Sequence, residues 1–319
     1  MKLSVKHIFG ALAVTLLLGM GVWYLKNRTA QNIISGVVAS PIDTLQNDAG
    51  RTNIVILGIG GEGHEGGDLT DSMLFVSLDL IGNTATMLGI PRDIWVPSIA
   101  AKINTAYHYG QKDLVKTAVS EILGERVHYV ITLDFSGFVK AIDIVGGVDV
   151  EVERSFDDYE YPIAGLENAE PVSARFEYIH FDEGLTHMDG ATALKFARSR
   201  HAVGEEGTDF ARATRQEKII LAFRNQVFSS STLFNSNMIG QLKDNLTSSV
   251  DTDLTGAEEG SLLKLFISLG NKDNVSSFTL TNYLFTPKST KEYGGQWVLV
   301  PTPSLEDLQS YVKTNLVKQ

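Results

Sequence analysis

Three runs of branched and apolar residues set the frame of the chain: NIVILGI at 53–59, MLFVSLDL at 73–80 and TATMLGI at 84–90. Each is short, rich in β-branched side chains and flanked by turn-forming residues, which predicts three strands. Helices are expected over 112–123 and 135–145, the second stopped by Gly146-Gly147, with strands at 127–133 and at 148–152. The stretch 155–186 mixes Pro, Gly, acidic and aromatic residues and reads as a long functional loop or an inserted element. Helices resume at 189, at 209–228 and at 255–269, a strand is expected at 297–300, and a helix from 304 closes the chain. Strands interleaved with helices predict a single α/β domain, with a central mixed β-sheet flanked by helices on both faces (α-β-α).

Upstream the pattern changes. Residues 8–25 (IFGALAVTLLLGMGVWYL) carry no charge, and that length of helix spans roughly 27 Å, close to a bilayer core. Lys2 and Lys6 precede the segment, and Trp23 and Tyr24 stand at its far end. The apolar region is longer than that of a cleaved signal peptide and no small-residue processing site stands out, so it reads as an uncleaved transmembrane signal anchor. The expected layout is a cytoplasmic tail (1–7), the anchor (8–25), a polar stalk (26–50) and an extracytoplasmic domain (51–319) of a single-pass cell-membrane protein.

Charge sharpens the picture. The 319 residues carry a formal net charge of -11 and no cysteine. That acidity argues against nucleic acid or a polybasic membrane patch as the main partner. Yet four of the eleven arginines, Arg198, Arg200, Arg212 and Arg215, fall within eighteen residues. An acidic chain that gathers planar bidentate donors in one place is built to hold an anion there or to close an ion-pair network. With Thr208 or Asp209 as N-cap, a helical stripe runs through Arg212, Gln216, Ile219, Ile220, Phe223 and Val227. Polar and apolar halves would then share one face, with Asp209 or a bound phosphate as the arginines' partner.

The loop GIGGEGHEGGDLTDS at 58–72 contains a G-x-G-x-x-G, but no helix follows its third glycine and no G-K-[ST] is present. Dinucleotide and Walker A readings therefore fail. What remains is a solvated Gly/Asp turn, or a loop carrying Asp68, Asp71 and Ser72 to a sheet edge where two carboxylates share a hard cation such as Mg²⁺. IPRDIWVP at 90–97 places Arg92 at a strand end, a usual ligand position in open α/β sheets, although an Arg92–Asp93 ion pair is the simpler reading.

The segments IPRD (90–93), KINTAY (102–107), GGVDVEV (146–152), HMDGATALKFARSRH (187–201) and DFARATRQEKII (209–220) occur in an order and spacing that resembles the LytR-CpsA-Psr family. The resemblance is strong over about residues 50–230. It implies an extracytoplasmic phosphotransferase that moves a glycopolymer from a polyprenyl pyrophosphate carrier onto peptidoglycan, forming a phosphodiester and releasing polyprenyl phosphate. By this resemblance Arg92, Arg198, Arg200, Arg212 and Gln216 surround the pyrophosphate, Asp71 helps hold Mg²⁺, and Asp209 organises the arginines. Lys102 and Arg215 are further substrate-binding candidates in the same segments. Two positions depart from the family pattern: Gly60 stands where an Asp is common, and Leu69 where an Arg is common. Asp68 is the nearby acid expected to take the missing ligand's part. The acceptor hydroxyl also needs a base, for which Asp71 and Asp209 remain by elimination. Two rival readings keep the arginine cradle without this transfer: a non-catalytic carrier-lipid binding protein, and a lipid pyrophosphate hydrolase.

Overall fold

The computed structural model describes residues 44–61, 67–163, 165–166, 169–227, 229–233, 235–268 and 275–317, without the side chains of Asp71 and Asp209 among others. The expected anchor at 8–25, most of the stalk and the middle of the glycine-rich loop lie outside the described residues. Among the described residues no helix is long and apolar enough to cross a membrane.

The three apolar runs form β1 (Arg51–Ile59), β2 (Thr70–Asp79) and β3 (Thr84–Gly89). Two short strands, β4 (Trp95–Val96) and β5 (Ala101–Lys102), pair with each other outside the main sheet. Then come helix α1 (Ala106–Leu123), strand β6 (Tyr129–Asp134), helix α2 (Phe135–Ile144) and strand β7 (Val148–Val152). In α1 the backbone leaves helical geometry at Gly110 and Gln111, so the continuous helix starts at Lys112.

In its described residues the region 155–186 takes the second of its two expected forms, an inserted element. It folds into strands β8 (Phe156–Pro162) and β9 (Phe176–Phe181), paired antiparallel, and β10 (Gly184–Met188), which pairs with β7. Helices α3 (Gly190–Arg198), α4 (Asp209–Val227), α5 (Ser236–Ser249) and α6 (Gly256–Ser268) follow, with strands β11 (Val250–Thr252) and β12 (Val275–Phe278). Helix α7 (Leu305–Val317) closes the chain. The strand expected at 297–300 is instead a short pairing of Val300–Pro301 with Leu284–Phe285, apart from the main sheet.

The main sheet has the order β11-β6-β1-β2-β3-β12. It is mixed: β1 runs parallel to β6 and antiparallel to β2. Both faces are buried, which is why its central strands read as near-continuous apolar runs. Ile54, Ile56, Leu74 and Val76 pack with α2 to α6 through Phe138, Phe196, Ile219, Leu242 and Leu262. Val55, Leu57, Met73 and Phe75 pack on the other side with Val119 and Ile122 of α1 and Leu308 and Val312 of α7. The result is the expected α-β-α sandwich, held by burial of both sheet faces.

Candidate active site at the strand ends

The parallel strands β1 and β6 end side by side, with Ile59 opposite Asp134. On the other flank of β1, Gly58 lies opposite Ser72 and Ile59 opposite Thr70. Asp134 caps α2, its Oδ1 accepting the Gly137 N–H at 2.6 Å and the Ser136 hydroxyl at 2.6 Å. That cap sets Phe135 at the start of the helix, where the missing side chain of Gly58 lets its ring lie close: a Cβ on Gly58 would sit 3.3 Å from both Phe135 Cε1 and Ser72 Cβ. The guanidinium of Arg198 lies over the face of this ring, 4.4 Å from its centroid. The last residue of α3 is thereby brought to the edge where β1 and β6 end and β2 begins.

The turn after α3 is held from two sides. Asp158 of β8, fully buried, accepts from Ser199 Oγ at 2.7 Å and from the His201 N–H at 3.2 Å through Oδ2, and from the Glu160 N–H at 2.9 Å through Oδ1. Arg215 of α4 grips the same turn from below. Its Nε donates to the Phe196 carbonyl at 3.0 Å, Nη2 to the Ser199 carbonyl at 2.5 Å, and Nη1 to the backbone and carboxylate of Glu206 at 2.9 and 2.8 Å. Its guanidinium also lies 4.7 Å from the centroid of the Phe156 ring. Burial pushes its pKa down, and the carboxylate of Glu206 opposes that shift. Ser199 and His201 are thus fixed, and exposed Arg200 is presented between them.

Thr208 provides the cap of α4, its hydroxyl accepting the Ala211 N–H at 3.1 Å. The buried stripe of this helix runs through Ala211, Arg215, Ile219, Phe223 and Val227. It is rotated from the expected one, so that Arg212 and Gln216 sit half-buried at its border. Gln216 Nε2 donates to the Ala197 carbonyl at 3.2 Å, and Arg212 lies within electrostatic reach of Arg215.

A second group of predicted residues reaches the same edge through the backbone. The Asn104 N–H donates to the Arg92 carbonyl at 3.2 Å, and Thr70 Oγ1 donates to the Asn104 carbonyl at 3.2 Å. Arg92 Nε stands 3.7 Å from Asp93, whose other oxygen takes the Lys102 ammonium at 2.7 Å. Lys102 also lies 5.9 Å from the Trp297 ring centroid. Asp68, half-exposed, pairs with His108 at 2.9 Å, and this hydrogen bond holds its carboxyl below the usual range. Beside it Tyr107 donates to Asp251 at 3.0 Å, and burial, then that bond, pushes the phenol up to about 12.

The structure therefore gathers Arg198, Arg200, Arg212 and Gln216 on one side, and the Asp68–Asp71 segment, Arg92 and Lys102 on the other. Arg215 is the correction. Expected to bind substrate, it is 3% exposed and spends its donors on carbonyls and Glu206. The sequence reading missed Phe135, Asp158 and Tyr161, the last of which hydrogen-bonds Arg198. Only the strand-to-helix junction of Asp134-Phe135 carried a local signal.

The chain matches the LytR_cpsA_psr family over residues 25–314. It is 30% identical over 228 residues, 69% of this chain, to the polyisoprenyl-teichoic acid-peptidoglycan teichoic acid transferase TagV of Bacillus subtilis, of whose length it spans 54%. It is 26% identical to a TagU transferase of Bacillus anthracis, covering 97% of this chain and 96% of that one. The crystal structure of B. subtilis TagV superposes with a TM-score of 0.57 at 26% identity, covering 85% of this chain and 98% of that one. With the family match running over most of its length and the fold in agreement, the chain belongs to the LytR_cpsA_psr family.

Proposed function

We propose that this protein is a phosphotransferase that moves a teichoic-acid-like glycopolymer from a polyprenyl pyrophosphate carrier onto a peptidoglycan hydroxyl. The observation that carries the reading is the stacking of Arg198 on Phe135 at the strand ends, with Arg200 presented beside it by Asp158. Kinship with named teichoic acid transferases supports the same reading. In the reaction the acceptor oxygen bonds to the phosphorus next to the glycopolymer. The bond from that phosphorus to the carrier-side phosphate oxygen breaks, and polyprenyl phosphate leaves. The acceptor proton passes to a carboxylate, Asp71 or Asp209.

Negative charge grows on the leaving phosphate, and Arg92, Arg198, Arg200 and Arg212 are the groups that meet it, while Gln216 and Lys102 help orient the substrate. Two carboxylates would hold Mg²⁺ here: Asp68, of which His108 takes one oxygen, and Asp71 in the same segment. A cation of this type uses one or two carboxylates and completes its shell with substrate phosphate and water. When bound it supplies charge neutralisation at the pyrophosphate. Membrane anchoring through residues 8–25, with the domain outside, belongs to this proposal.

Each charge-assisted contact to phosphate is worth about 1.5 to 3 kcal/mol. Arg200→Ala is therefore expected to lower turnover roughly ten- to a hundredfold while leaving the fold unchanged. The check is polyprenyl phosphate release set beside the unfolding midpoint. A folded variant with normal turnover would remove Arg200 from the machinery.

A further inference from the structure

The β8–β9 hairpin has two unlike faces. Phe156, Asp158, Tyr161, Ile179 and Phe181 point into the core. On the outward face Tyr159 and Tyr178 stand side by side, 61% and 55% exposed, with ring centroids 5.0 Å apart and planes inclined by 31°. Adjacent large aromatic rings left in water mark a contact surface more often than chance exposure does. These rings are also held in place. Asp157 Oδ1 is 2.6 Å from the Tyr178 hydroxyl, which donates to it, and 2.8 Å from His180 Nδ1, while His180 Nε2 lies 3.1 Å from Asp182.

The exposed outer faces of this tilted ring pair, with a rim of carboxylate and imidazole, match a pyranose ring, which offers C–H groups on its face and hydroxyls around its edge. The charge selects among sugars. Asp157 lies against Tyr178, and Asp182 adjoins it through His180, so a phosphate-rich polymer is repelled and a neutral chain is accepted. The location selects the role. Through Asp158 and Tyr161 this hairpin fixes Ser199, His201 and Arg198, and the Val203 N–H donates to the Asp157 carbonyl at 2.9 Å. A chain lying on the shelf is therefore bound to the element that presents the arginines.

We infer that the outward face of this hairpin, with Tyr159 and Tyr178 as platform and Asp157 and His180 as hydrogen-bonding rim, binds the neutral sugar backbone of the acceptor glycan. This deepens the transferase reading and rests on it for the word acceptor.

The test uses the full chain in detergent, titrated with a peptide-free, uncharged N-acetylhexosamine oligosaccharide. Replacing both rings (Tyr159→Ala with Tyr178→Ala) is expected to weaken binding about tenfold or more, whereas Phe at both positions keeps affinity within about threefold. In transfer assays the Ala pair raises the acceptor KM by a similar factor and leaves the donor KM unchanged. No oligosaccharide binding by the wild-type chain, unchanged binding by the Ala pair, or an equal loss of carrier-lipid affinity overturns the inference. Because sugar binding is read without turnover, failure of the transferase reading would appear separately, as absence of carrier release from a protein that still binds the oligosaccharide.

Discussion

Arg200 and Arg215 carry the same guanidinium in opposite surroundings. Arg200 is exposed between two residues clamped by Asp158, whereas Arg215 is enclosed and fully engaged. Removing Arg215 leaves the Phe196 and Ser199 carbonyls without their donor and Glu206 without its cation. Arg215→Ala is therefore expected to cost about 3 to 5 kcal/mol of stability, visible as a shifted denaturant midpoint at unchanged slope. Lys should rescue it poorly, since one ammonium cannot reproduce a fork aimed at three carbonyls and a carboxylate. Wild-type stability for Arg215→Ala would contradict the structural role. The residue types of this cluster were legible in the sequence, but their division of labour was not. A helix of this length tolerates a small rotation of its buried stripe, and here rotation placed Arg215 inside and Arg212 and Gln216 at the border. What decided it was the partner: carbonyls at the end of α3, remote from α4 in any periodicity argument.

At the scale of elements, the start of the β1–β6 pairing is locked by a histidine that must stay neutral. His128 Nδ1 accepts the Asn53 N–H at 2.9 Å, and the His128 N–H returns a bond to the Asn53 carbonyl at 2.9 Å. Burial lowers the His128 pKa below 6.5, with Asp48 opposing the shift and Arg126 adding to it. Below pH 6.5 the unfolded chain binds the proton before the folded one does, so stability is full above that value and is lost as pH falls through the folded pKa. The slope from this one group is at most about 1.4 kcal/mol per pH unit. Unfolding midpoints measured from pH 7.5 to 5 should fall less steeply for His128→Asn than for the wild-type chain; parallel curves would exclude this contribution.

The strands of the sheet region were legible as short apolar runs between turn residues, and its helices by their length and stop signals. The β8–β9 hairpin was not, for two physical reasons. Its register breaks between Asp158 and Tyr161, which interrupts the alternation, and one of its inward residues is an aspartate satisfied by a turn far along the chain.

For the whole molecule, the topology does the gathering. A mixed sheet with β1 at its centre brings the loop after β1, the start of β2, the cap of α2 and the turn after α3 to one edge. Order along the chain already pointed to the family, and both flanking layers followed from apolar strands buried on two sides. No spacing rule could show that Phe135 would carry Arg198, because that contact needs β6 beside β1 and a glycine at position 58. The family resemblance expects polar groups where Gly60 and Leu69 stand, which makes metal dependence the point where a transferase and a carrier-lipid binder part company.

The most direct measurement is to give the full chain, in detergent, a polyprenyl pyrophosphate-linked saccharide and a peptidoglycan fragment, with and without Mg²⁺, and to follow polyprenyl phosphate together with saccharide on the fragment. The account predicts release that depends on Mg²⁺ and equals the saccharide transferred. Tight binding of the carrier with no release, or release with the saccharide phosphate left in solution, would contradict it.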